Sequence, residues 1–140
     1  MAEALIIGPA LALGFIIGAY EAIIIHRDVT VPTHRFGHMI HALLLAILFV
    51  FVTMNVEFVL ANIPFLTTIP LLGTALGLRI AVGLLAAIKI HGVSRALKTS
   101  VAGRGLGETW FHSILIGALI VAAPYIYPAV EQILPEWIKF

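Results

Sequence analysis

Four apolar runs, each long enough to cross a hydrocarbon layer once, leave this chain few choices of fold. They cover residues 4–25, 39–63, 71–90 and 110 to about 134, and a helical crossing takes ~20 such residues. Lipid offers backbone N–H and C=O groups no partner, so each run must satisfy itself as a helix. The apolar alternation of barrel strands is absent. The expected fold is all-α: a polytopic membrane protein with four transmembrane helices, forming one domain over residues 1–140. Composition agrees, with 61% hydrophobic and 11% charged residues, far from the balance of a water-soluble domain.

The same counts exclude several functions. A net charge of +1 leaves no basic surface for nucleic acid, so no nucleic-acid partner is expected. The absence of cysteine removes disulfides, thiolate metal sites and thiol catalysis. No HExxH, GxSxG or P-loop pattern occurs, so no catalytic residue is assigned and the chain is not expected to be catalytic on its own. The first charge is Glu3 and the first arginine is Arg27, beyond the apolar run. A basic leader is therefore not apparent, and the first helix is expected to be retained.

Orientation follows from the basic residues. Arg27 and Arg35 lie in the first connector and Arg95, Lys98 and Arg104 in the third, while the second has none. By the positive-inside rule, loops 26–38 and 91–109 face the cytoplasm of a cell membrane and both termini lie outside. Trp110 and Trp137 are the expected interfacial anchors.

The chain also matches itself. At an offset of 65 the first run meets the third at Gly18/Gly83 and His26/His91. At an offset of 74 the second meets the fourth at His38/His112 and Glu57/Glu131. These polar matches fall at corresponding depths, which a shared apolar alphabet does not explain. The expected architecture is two tandem hairpins from an internal duplication, about 4–63 and about 71–137, related by an axis along the membrane normal. Gly14-x-x-x-Gly18 and Gly73-x-x-x-Gly77 offer close helix approach. Pro124 and Pro128 should perturb the fourth helix, and the carbonyls they free need partners.

Charged groups at membrane depth are the candidate functional residues. Glu57 lies ~9 Å and Arg79 ~12 Å inside the same boundary at 1.5 Å per residue. They read either as an ion pair fixing helix register, with Asn55 filling a remaining hydrogen bond, or as a charged gate along a polar path. Toward the other end, Glu21 can pair with Lys89 or with His41. All six histidines sit near that end: His34, His38 and His41 share one face of a helix, and His26, His91 and His112 lie at a similar level. Such a group can hold a divalent metal or haem, although imidazoles are also tolerated at headgroup depth and no cofactor is expected.

Three functions follow. The first is a small membrane subunit whose partners are the bilayer and other subunits or further copies of itself. The second is a homo-oligomeric ion or small-solute channel or carrier using Glu57, Arg79 and Asn55. The third is a His-ligated haem or metal protein.

Overall fold

The computed structural model describes residues 5–28, 32–99 and 110–139, and their side chains apart from those of 25–28, 32–35, 37, 38 and 93–99. Among the described residues there are no strands. The helices are α1 (Gly8–Asp28), α2 (Pro32–Met54), α3 (Val56–Asn62), α4 (Ala75–Thr99) and α5 (Trp110–Val130), with 3-10 turns at Pro64–Thr68, Glu131–Ile133 and Glu136–Ile138.

Local chemistry sets several of these ends. Pro9 and Pro32 stand in the first turns of α1 and α2, where a missing N–H costs nothing. Thr74 precedes α4 and its Oγ1 accepts the Gly77 N–H at 3.0 Å, a side-chain cap for that helix.

The expected single run over 39–63 is broken at Asn55. Helix α2 ends at Met54, and α3 leaves it at an angle of 79°. The Asn55 side chain explains the break. Its Nδ2 donates to Phe51 O at 2.9 Å and Ile6 O at 3.0 Å, while its Oδ1 accepts the Ile6 N–H at 2.7 Å. A short amide that bonds local and neighbouring backbone competes with helix continuation, and here it also clamps the chain entering α1.

Helix α1 packs chiefly along α2, and α4 along α5. Contacts α1·α5, α2·α4 and α2·α5 join the two pairs, so that α1 and α4 stand at opposite corners. Fully buried Val50, Ile116 and Ile120 fill the centre.

Glycines permit the close approaches. A Cβ on Gly14 would lie 2.6 Å from Ile47 Cα, and one on Gly18 2.9 Å from Leu43 Cα. The expected approach through Gly73 and Gly77 does not occur. Gly73 precedes α4 and faces Thr67, and Gly77 faces Leu71, both in the connector just before the helix. The α4–α5 approach is made instead by Gly83 and Gly117, whose Cβ positions would meet one another's carbonyl oxygens at 2.8 and 2.6 Å.

Two stretches, Ala75–Gly92 and Trp110–Ile133, are long and apolar enough to cross a membrane. Met39–Met54 and Val56–Asn62 qualify only as a bent pair, which would make three, and the apolar part of α1, Gly8–Ile24, is shorter than 18 residues.

Candidate functional site

Polar side chains inside the bundle gather in two layers, one at the α2 break and one toward the opposite end. At the break, ending α2 leaves its last carbonyls without helical donors. Arg79 of α4 fills one: its Nε donates to Thr53 O at 3.0 Å, and its guanidinium reaches Tyr125 of α5, with Nη1 3.4 Å from the hydroxyl and Cζ 5.6 Å from the ring centre. A cation at a helix C-terminus is also favoured by the helix dipole. Thr53 closes the layer. Its Oγ1 donates to Ile120 O at 2.9 Å and to Val50 O at 3.1 Å.

Ile120 is four residues before Pro124, whose ring nitrogen carries no proton for the helical bond. The expectation that a proline-freed carbonyl finds a partner within the bundle is met here by Thr53. Thr53 is also the only hydroxyl residue in 39–63, so the pairing had a readable signal. Thr53→Val should therefore cost about 1 kcal/mol. In a Pro124→Ala background, where the restored backbone N–H at position 124 bonds Ile120 O, that cost should fall by at least about half, as a double-mutant cycle of unfolding in detergent would measure. Equal costs in both backgrounds would remove proline from the explanation.

The expected Glu57–Arg79 ion pair is not formed. Glu57 lies two residues past the break, so the 79° turn carries it off the α2 axis, and its side chain is exposed in the first turn of α3. Asn55 does not assist that pair either, because its amide is held by Ile6 and Phe51.

In the second layer, Glu21 of α1 is 1% exposed. Its Oε2 lies 2.7 Å from His112 Nε2 on α5, a hydrogen bond donated by the imidazole and an ion pair when that ring is protonated. Being beside the first turn of α5 also favours the carboxylate. Tyr20 tilts against His112 with ring centres 5.9 Å apart. The expected partners of Glu21 stand elsewhere: Lys89 and His41 are exposed, and neither is bonded to it. The depth was readable, but the choice of α5 as the neighbour of α1 was not.

His91 is buried and stacks on Trp110, with ring centres 3.8 Å apart and planes 13° from parallel. Among the described residues, neither of its ring nitrogens nor the buried Ser113 Oγ has a hydrogen-bond partner. Among the described residues, no three His, Asp or Glu side chains come together to hold a metal ion. The side chains of His26, His34 and His38, part of the expected histidine group, lie outside the described residues.

At the chain's far end Lys139 Nζ donates to Glu136 at 2.6 Å, and this bond raises the Lys139 pKa. Glu136 is largely exposed, and such a surface pair adds little stability.

Between the layers the interior is apolar: Leu13, Ile17, Ala46, Val50, Ile116 and Ile120 are all buried. Glu21 and Ile6, the residue held by Asn55, are fifteen positions apart along the chain, or ~22 Å at helical rise.

No protein family, curated protein or solved structure matches the chain.

Proposed function

We propose that the chain is a small integral membrane subunit that crosses the bilayer four times as two like hairpins and assembles through its helix faces into a larger homo- or hetero-oligomeric membrane complex. The observation that carries this reading is the use of the interior polar groups. Arg79, Thr53, Glu21 and His112 bond one helix to another and Asn55 ties the α2 break to the chain entering α1, and a close-packed apolar zone separates the two layers. Such an interior holds helices in register and, among the described residues, offers no polar path through one chain. A transport role through Glu57, Arg79 and Asn55 is thereby weakened, because two of the three are held by structural bonds.

Duplication gains support from packing. Exchanging α1 with α4 and α2 with α5 leaves the set of helix contacts unchanged. The Gly18–Leu43 approach becomes Gly83–Gly117 under the same offsets of 65 and 74. In this arrangement loops 26–38 and 91–109 face the cytoplasm. Outward faces carry large apolar side chains such as Phe15, Leu44, Leu84 and Ile114, which suit lipid and neighbouring helices alike.

Native mass measurement after extraction in mild detergent tests the proposal. The expected result is a particle heavier than one chain, through added copies or a second polypeptide. A one-chain particle would overturn it, and ion or solute flux in proteoliposomes that Glu57→Gln abolishes would instead establish the transport reading.

A further inference from the structure

The connector between α3 and α4 has the chemistry of a segment in contact with lipid. From Ile63 to Leu78 there is no charged residue. Between Asn62 and Thr74 every polar side chain is turned back onto the connector's own backbone. Asn62 Nδ2 donates to Phe58 O at 2.8 Å, Thr67 Oγ1 to Pro64 O at 2.6 Å, Thr68 Oγ1 to Phe65 O at 2.7 Å and Thr74 Oγ1 to Leu71 O at 2.7 Å. Five of the backbone donors are used in the same way, the N–H groups of Ile63, Leu66, Ile69, Gly73 and Thr74 bonding carbonyls within the segment or α3, while Pro64 and Pro70 have no N–H to satisfy. Large apolar side chains face outward beside the exposed Asn62, Thr67, Thr68 and Thr74, with Ile63 48%, Phe65 68% and Leu71 78% exposed.

In water such pairing is optional, since solvent can satisfy exposed hydroxyls and amides as well as nearby backbone can. In hydrocarbon an unsatisfied polar group costs several kcal/mol, so internal pairing becomes obligatory. Leu71 adds an independent argument. Its φ of 73° lies in the left-handed region, where a residue with a Cβ costs roughly 1–2 kcal/mol and glycine or asparagine is usual. Burying a leucine side chain away from water contributes about 1.5–3 kcal/mol, which offsets that strain only if Leu71 reaches an apolar medium. The 79° turn at Asn55 supplies the geometry, laying α3 across the end of the bundle when α2 stands along the membrane normal.

We propose that residues 63–74 form a re-entrant segment immersed in the leaflet at the Asn55 end of the bundle, with Phe65 and Leu71 inserted among lipid acyl chains. This rests on the membrane reading above. The chain contains no cysteine, so single substitutions can each carry one spin label. Phe65→Cys and Leu71→Cys report on the segment, Leu44→Cys and Leu84→Cys on helix faces in mid-span, and Glu136→Cys on water. In phosphatidylcholine vesicles, the ratio of oxygen to water-soluble nickel-chelate collisions at 65 and 71 is expected to fall within about twofold of that at 44 and 84, because a polar chelate is excluded from hydrocarbon. A ratio at 65 and 71 equal to that at 136 puts the segment in water and overturns the proposal. So does suppression of both collision rates there, the mark of a protein cover. If 44 and 84 also match 136, the membrane reading itself fails, and those two references tell the cases apart.

Discussion

A chain carrying His112→Leu is expected to lose about 3 kcal/mol of stability, the upper scale for taking one hydrogen-bond partner from a buried polar group. Glu21 is the most deeply buried charged side chain among the described residues, and the substitution would leave its carboxylate beside a leucine where the imidazole now lies at 2.7 Å. The double variant Glu21→Leu/His112→Leu removes the charge as well as its partner. It should recover at least about half of the loss, since an apolar pair of similar size can replace a buried polar one with little cost. Unfolding in mixed micelles, followed by tryptophan fluorescence, measures all four corners of the cycle. Additive losses would mean that the two side chains do not act as a unit.

The second large effect concerns helix approach. Gly117→Val should destabilise the α4–α5 hairpin by about 3 kcal/mol, at the upper end of overpacking costs. The reason is that the obstacle is backbone: the added Cβ would stand 2.6 Å from Gly83 O and 3.1 Å from Ala87 Cβ. A side chain can rotate aside, whereas a carbonyl moves only if the helices part. Gly92→Val is the matched control, because nothing among the described residues lies within 4 Å of its Cβ position, and it should cost only the ~1 kcal/mol or less that β-branching brings to a helix. Comparable losses at the two positions would show that propensity, not contact, is being measured.

Both effects fall on features that were partly legible in the residues. Gly14 and Gly18 were readable as a close-approach face because small residues at that spacing leave a groove, and they do meet α2. Gly73 and Gly77 have the same spacing but lie at the start of α4 and before it, where the connector folds over them. Spacing states which residues share a helix face only once the helix ends are known. Pro124 likewise announced an unpaired carbonyl at Ile120, and its partner Thr53 was the single hydroxyl available on the second run.

The charged residues were harder. Glu57 and Arg79 were matched by counting residues from a common boundary, which assumes a straight helix to Ile63. Asn55 breaks that helix because its amide is claimed by Ile6, forty-nine positions away. The bend removes Glu57 and at the same time frees the Thr53 carbonyl that Arg79 then caps. For Glu21 the level is legible, but spacing points to Lys89 or His41, whereas the partner is His112 at the same level.

From the sequence alone came the helical class, the apolar runs and the level of Glu21 along its helix. These follow from local quantities: an absent partner for the backbone in lipid, a rise of about 1.5 Å per residue, and a missing proton on proline. Tertiary structure alone decided the break at Asn55, the neighbour given to each helix and hence the partners of Glu21 and Arg79. Those depend on rotation about each helix axis and on contacts between residues far apart in the chain, where many arrangements share the same depths and only simultaneous packing of all the helices selects one.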